Sequence, residues 1–289
     1  MFTALTNGRV MTDSGVAAGR VVLVRDEHIV DVVREGDPRC RKAEQRDLQG
    51  MLLLPGFIDT QVNGGGGVLF NDEPSVEAIR AIGNAHRRFG TTGFLPTLIS
   101  DDLDVVARAV NAVKQAIEAG VPGVLGIHIE GPFLNVERKG VHDPAKLRGL
   151  DDSAVGLLTS LKNGKTLVTL APEMTTPEII HRLSAAGVVV SAGHTNATYE
   201  QIAAALSNGL TGFTHLFNAM SQLTGREPGV VGAALDHADS WCGLIVDGHH
   251  VAPVVMRLAL RCKRRDRFMI VTDGMPSIGT NDTSFDLQG

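Results

Sequence analysis

Four side chains of the right chemistry stand at the ends of short apolar runs. Glu130 closes Ile127-His128-Ile129-Glu130, His194 follows Val190-Ser191-Ala192-Gly193, His215 follows Phe213-Thr214, and Asp273 follows Ile270-Val271-Thr272. A carboxylate and two neutral imidazoles satisfy a catalytic divalent ion and leave a coordination position open for water. Such an ion brings the pKa of water toward neutrality and makes it a nucleophile. Asp273 is then placed to act as general base and, later, as the acid for a leaving group. Any one of the four, taken alone, reads more readily as a polar core residue paired with a neighbour. Their shared position at run ends favours a common site.

Other polar residues carry less. His142 lies on a long loop after the Glu130 run, in Lys139-Gly140-Val141-His142, and is a candidate for polarising a carbonyl. Asn218 and Ala219 lie just past His215 and could offer backbone donors to an anion. Arg226 sits in Thr224-Gly225-Arg226-Glu227-Pro228-Gly229, either a solvated charge or a phosphate clamp. Gly64–Gly67 lacks GxGxxG spacing and reads as a flexible turn. His128 is expected in the core, and His28, His86, His181 and His237 as ordinary surface or helix residues. Cys242 and Cys262 are expected to be buried and not ligands, and Arg261–Arg265 to be a solvated helix end.

These residues need a frame. Buried-strand runs fall at 52–59, 93–99, 124–130, 166–171, 188–192, 212–217, 242–247 and 268–272. Helical periodicity separates several of them. Leu103, Val106, Val110, Val113 and Ile117 step by three and four, with Gly120 as a stop. Ser75 caps a helix to His86, Thr176-Pro177-Glu178 opens another, and Met256, Leu258 and Leu260 lie in a further one. Eight strands with helices between them predict an α/β fold of the (β/α)8 TIM-barrel type, whose sites gather at the C-terminal ends of the strands. An open doubly wound sheet is the architectural alternative. Residues 1–51 differ: β-branched runs at 20–25 and 28–33 flank Asp26-Glu27 as in a hairpin, and no long helix is indicated. They predict a small β module, with the barrel over 52–289.

Composition narrows the function classes. The net charge of −5 and an aromatic content of 4% disfavour a nucleic-acid partner or a basic membrane patch. No apolar run approaches the ~18 residues of a membrane span, and the N-terminus has no signal core. Three unpaired-looking cysteines, Cys40, Cys242 and Cys262, favour a cytoplasmic setting.

An ordered set of motifs carries a resemblance. Pro55-Gly56-Phe57-Ile58-Asp59, His128-Ile129-Glu130-Gly131-Pro132-Phe133, Leu170-Ala171-Pro172-Glu173 and Ser191-Ala192-Gly193-His194-Thr195-Asn196-Ala197 come first. Thr214-His215-Leu216-Phe217-Asn218-Ala219-Met220, Gly225-Arg226-Glu227-Pro228-Gly229, Asp247-Gly248-His249-His250 and Val271-Thr272-Asp273 follow. The chain so resembles the N-acetylglucosamine-6-phosphate deacetylase family of the amidohydrolase superfamily. The resemblance implies hydrolysis of N-acetylglucosamine 6-phosphate to glucosamine 6-phosphate and acetate. It implies Glu130, His194 and His215 as metal ligands, Asp273 as acid/base, and His142 on the acetamide carbonyl. Asn218, Ala219, Arg226 and His250 would contact the amino-sugar phosphate, with Arg226 serving the neighbouring subunit of a homodimer. Many amidohydrolases carry His-x-His where this chain has Gln61-Val62-Asn63. Amides are poor ligands beside imidazole, so one ion is expected, zinc first, with iron, manganese or cobalt as alternatives, and Gln61 and Asn63 beside it. The resemblance also implies a last barrel helix and returning strands that complete a β-sandwich, which this sequence does not contain. Two other readings stay open: another amidohydrolase-type amide hydrolase, and an inactive remnant that binds only metal or sugar phosphate.

Overall fold

A computed structural model of the chain describes residues 2–281, 284–285 and 287. The outer limits of the two expected units, Met1 and Gly289, lie outside the described residues. The chain divides into compact units Met1–Gly56 and Phe57–Gly289.

The first unit holds β1 (Thr3–Thr6), β2 (Arg9–Thr12), β3 (Gly15–Ala17), β4 (Arg20–Arg25), β5 (His28–Arg34), the short helix α1 (Pro38–Arg41), β6 (Glu44–Asp47) and β7 (Leu52–Leu53). Its strands form one sheet in the order β5-β4-β1-β6 and another in the order β3-β2-β7. The β4–β5 hairpin turns at Asp26, whose φ of 54° is left-handed, a conformation Asp tolerates. Ala4, Val21, Leu23, Val33 and Cys40 form its core.

The second unit places the site. Its strands are β8 (Phe57–Val62), the short β9 (Gly64–Gly65) and β10 (Val68–Leu69), then β11 (Thr91–Ile99), β12 (Gly126–Glu130), β13 (Lys165–Leu170), β14 (Val189–Ala192), β15 (Leu210–Phe213), β16 (Trp241–Ile245) and β17 (Phe268–Val271). The main sheet runs β17-β16-β15-β14-β13-β12-β11-β8. Each neighbouring pair is parallel. Consecutive order throughout excludes the doubly wound alternative, whose strand order reverses. The ends meet: Val62 bridges Gly274 in parallel, and Thr272 Oγ1 donates to Asp59 Oδ2 at 2.5 Å. The result is a TIM-type barrel.

Helices α2 (Val76–Arg87), α3 (Leu103–Glu118), α4 (Asp152–Leu158), α5 (Pro177–Ala185), α6 (Tyr199–Ser207), α7 (Gly229–Asp236) and α8 (Pro253–Cys262) alternate with the strands. Their starts follow the sequence signals. Ser75 Oγ accepts the Ala78 N–H and Thr176 Oγ1 accepts the Ile179 N–H. The i, i+3, i+4 stripe of α3, with Val106, Ala109, Val110 and Val113, joins Ile79, Ile82, Phe94 and Ile127 in the core, which explains its length. Among the described residues no helix is long and apolar enough to cross a membrane.

Three expectations on elements are corrected. The first barrel strand starts at Phe57, not residue 52, because Leu52–Leu53 pairs with β2 in the first unit. The Gly64–Gly67 stretch is not a flexible turn but part of a hairpin, with Gly65 opposite Val68 and both turn residues, Gly66 (φ 64°) and Gly67 (φ 82°), left-handed. Lys263 is not part of a solvated helix end: it is buried, and its Nζ donates to the His237 carbonyl and to Ser240 Oγ.

Candidate metal centre

Glu130 is the last residue of β12, and His194 and His215 follow β14 and β15 by two residues. Parallel pairing brings these ends to one rim of the barrel. Glu130 Oε1 lies 3.2 Å from His194 Nε2 and 3.1 Å from His215 Nε2, and the two Nε2 atoms are 3.0 Å apart. All three residues are buried, and they are the one group of ligand type that converges among the described residues.

The donor set fits a divalent ion. His194 Nδ1 donates to the Arg138 carbonyl at 2.8 Å, which leaves the Nε2 lone pair facing the other two ligands. A proton on His215 Nε2 can serve His194 Nε2 or Glu130 Oε1 but not both at once, whereas a shared cation engages both nitrogens and the carboxylate oxygen together. Gln61 Nε2 donates to both Glu130 oxygens, at 3.0 and 2.9 Å, and so fixes the plane of the carboxylate. Burial works to raise the Glu130 carboxyl, but the close polar contacts with the His194 and His215 rings outweigh it and hold it well below the usual carboxylate range. Burial opposes charge on His215 as well; the hydrogen bond and charge of Glu130 reverse that and raise it.

Asp273 follows β17 by two residues, with a left-handed φ of 51°. Asn63 Nδ2 donates to its Oδ1 at 2.6 Å. Burial first, then the Glu130 charge, raises its pKa, against His215 and the Asn63 hydrogen bond. A carboxylate pushed upward in this way is the form suited to accept a proton near neutral pH. Left-handed backbone recurs here, at His194 (49°), His215 (33°), Phe217 (82°) and Ala219 (50°), a strain that gathers at functional sites.

His142 arrives from the loop after β12 and is buried. Its Nδ1 accepts the Ser100 N–H at 3.2 Å and faces Ser100 Oγ at 2.7 Å. A nitrogen that accepts a backbone N–H carries no proton, so the neutral ring carries it on Nε2. Burial first, then the nearby His194, pushes its pKa down to about 3, so the ring is a neutral donor. Its centroid lies 4.5 Å from that of His194.

A cavity of about 160 Å³ is lined by Asn63, Glu130, His142, His194, His215, Asn218, Ala219, His250 and Asp273 together. Gln61 reaches it through Glu130. His250 is exposed, its Nδ1 2.6 Å from Asp247 Oδ2. Arg226 does not join the cavity; it is exposed on its loop.

Several histidine and cysteine expectations need correction or detail. His128 shares the inward face with Glu130, since residues i and i+2 of a strand point the same way. It lies one layer below, between Thr169 Oγ1 (2.8 Å) and Thr97 Oγ1 (3.2 Å), and burial pushes its pKa down to about 4. His86 lies on α2, the helix alternative of its reading, and is buried, with Nε2 2.9 Å from the Gly64 carbonyl. The three cysteines are free thiols; Cys242 is buried as expected, but Cys262 is exposed. Three supporting residues escaped the reading of the sequence as site residues: Ser100 behind His142, Asp59 behind Thr272, and Glu173 behind the His194 loop. Asp59 and Glu173 stood in recognisable motifs, but their partners did not show.

A TIM barrel with Glu, His and His donors on one rim, a carboxylate beside them and a neutral imidazole across the cavity is that of a metal-dependent barrel hydrolase. The amidohydrolase family model matches residues 52–278, and the chain belongs to that family. It is 50% identical over 233 residues to an N-acetylgalactosamine-6-phosphate deacetylase of Shewanella sp. (strain ANA-3), a match covering 81% of this chain and 59% of the relative. It is 39% identical over 277 residues to an N-acetylglucosamine-6-phosphate deacetylase of Haemophilus influenzae, covering 96% and 72%. It also superposes on the crystal structure of N-acetylglucosamine-6-phosphate deacetylase from Pasteurella multocida with a TM-score of 0.94 and 36% identity, covering 99% of this chain and 75% of that one.

Proposed function

We propose that the protein is a one-metal deacetylase that hydrolyses N-acetylglucosamine 6-phosphate to glucosamine 6-phosphate and acetate. The observation that carries this reading is the convergence of Glu130, His194 and His215 within 3.0–3.2 Å, with Asp273 and His142 on the same cavity. The two deacetylase relatives support the substrate class. Glu130, His194 and His215 would hold the ion, and zinc suits a set of two imidazoles and one carboxylate. When bound, the ion supplies Lewis acidity that activates water and polarises a carbonyl.

The chain's own groups do the rest. His142 donates its Nε2 proton in a hydrogen bond to the acetyl carbonyl oxygen and stays neutral as charge builds there. Asp273 accepts the proton lost by water as the new C–O bond forms. It returns that proton to the amine nitrogen as the C–N bond breaks. Asn63, bonded to Oδ1, keeps the carboxylate oriented through both transfers. Asn218, Ala219 and His250 line the sugar's side of the cavity. Arg226, exposed and outside the lining of its own cavity, is available to the phosphate in a neighbouring subunit of a homodimer. Unpaired thiols and a phosphorylated small-molecule substrate favour a cytoplasmic setting.

Zinc-loaded protein should release acetate from N-acetylglucosamine 6-phosphate, with kcat/KM at least about 100-fold above that for the unphosphorylated sugar, given the value of charged hydrogen bonds. No acetate from folded, zinc-loaded protein overturns the reading. The 50% identical Shewanella relative favours a second substrate, the galactosamine epimer. Running both sugar phosphates in the same assay ranks them.

A further inference from the structure

We propose that Glu173 is a positioning residue for the metal ligand His194, and so sets the affinity of the centre for its ion. The inference rests on the reading of Glu130, His194 and His215 as the ion-binding set.

β13 brings no ligand to the rim. Just past its end, the turn Pro172–Met174 carries Glu173, which is half-buried. Its carboxylate accepts three hydrogen bonds. Oε1 takes the Asn196 N–H at 2.6 Å and Asn135 Nδ2 at 2.9 Å, and Oε2 takes the Thr195 hydroxyl at 2.5 Å. Thr195 and Asn196 directly follow His194. Asn135 belongs to the segment that holds His194 from the other side. The Asn135 N–H donates to the His194 carbonyl at 2.9 Å, and the Arg138 carbonyl accepts the His194 Nδ1 proton at 2.8 Å. Arg138 N–H bonds back to the Asn135 carbonyl at 2.9 Å, so both contacts come from one turn.

Glu173 therefore ties together the two peptide segments that fix the backbone and the ring of His194. That backbone is left-handed at φ 49°, a conformation that persists only where its surroundings over-determine it. Release of Thr195 and Asn196 lets the ring move away from the point it shares with Glu130 and His215. Partners of this kind, removed from other metal sites, weaken metal binding by about 10- to 100-fold. A carboxylate with a purely structural role has no such effect. Glu227 provides that comparison: it accepts the Tyr199 and Gly229 N–H groups, at 3.0 and 2.9 Å, with no link to His194.

The test is competition of metal-free protein against a chromophoric chelator for zinc, together with the visible spectrum of the cobalt-loaded protein and a thermal melt. Glu173→Ala is expected to weaken zinc binding about 10- to 100-fold and to alter the cobalt bands. Glu173→Gln keeps an acceptor for the Asn196 N–H and is expected to lose about 3- to 10-fold, which keeps the test open if the alanine variant does not fold. Glu227→Ala should lower the melting temperature and leave zinc affinity unchanged. Equal zinc affinity in folded Glu173 variants and the parent overturns the proposal. So does an equal loss in Glu227→Ala, or a parent that binds no zinc. Acetate release is measured separately: zinc binding that follows this pattern without deacetylation overturns the substrate reading and leaves the positioning role standing.

Discussion

In the proposed reaction Asp273 and His142 do different work because their surroundings push them in opposite directions. Burial and Glu130 raise the Asp273 carboxyl toward the range of a working base, while burial beside His194 keeps the His142 ring neutral. Asp273→Asn keeps the Asn63 side of the site and touches no ligand, so zinc affinity should hold while kcat falls about 100- to 10,000-fold. Unchanged kcat in the zinc-loaded variant removes Asp273 from proton transfer. His142→Gln removes the donor to the carbonyl, and kcat should fall about 100- to 1,000-fold with little change in KM. A change confined to KM would make His142 a binding group only. The convergence of Glu130, His194, His215 and Asp273 on one cavity was legible in the sequence because each interrupts an apolar run with a group that needs a partner. Their supports were not. Asp59 and Thr272 stand far apart in the chain, and nothing near either one announces the other. Lys263 was misread, and the burial of His86 on its helix was not foreseen, because each bonds a backbone carbonyl, which no side-chain pattern reveals.

At the scale of elements, the strands were legible as uniformly apolar runs, a consequence of burial on both faces of a parallel sheet. The start of the first strand was not, since Leu52–Leu54 is as apolar as Phe57–Ile58 and local pattern cannot assign the two to different sheets. Close backbone approach was equally hidden. Gly126 opens β12 at φ 156°, and a Cβ there would lie 1.8 Å from the Lys165 carbonyl oxygen, its partner on β13. The contact is with backbone, so neither strand can yield without losing the ladder that carries Glu130. Gly126→Ala should therefore cost about 2–4 kcal/mol, read as a drop of roughly 5–15 °C in melting temperature. Gly156 makes the contrast: it is exposed in α4, and a Cβ there meets nothing within 4 Å. Gly156→Ala should raise stability by about 0.5–1 kcal/mol through helix propensity. Equal effects of the two substitutions would refute the close-approach argument.

Over the whole molecule, the buried histidines tie stability to pH. His128 and His142 stay neutral in the folded protein down to about 4 and about 3, whereas free imidazole protonates near 6.5. Between those values the unfolded chain binds more protons than the native state, so stability must fall as pH falls. Each such ring contributes about 1.4 kcal/mol per pH unit while the two states are fully separated. Glu130, held low, acts in the same sense at more acid pH, its contribution lost as pH falls through its folded value. His215, raised, acts in the opposite sense: its contribution is complete below 6.5 and fades as pH rises through its folded value. The carboxyls of Asp273 and Asp59, raised by burial, act in the same sense as His215, so the contribution of a single ring is read from a variant that lacks it. His128→Gln isolates one ring, since it removes the titrating group between Thr97 and Thr169 while leaving an amide to bond them. Unfolding free energies from urea titrations at pH 7, 6 and 5 should fall less in this variant than in the parent, by about 2 kcal/mol in total over the two pH units. Parallel slopes would mean that His128 takes up protons as readily in the folded barrel as in water, and that the polar layer beneath the metal ligands is open to solvent.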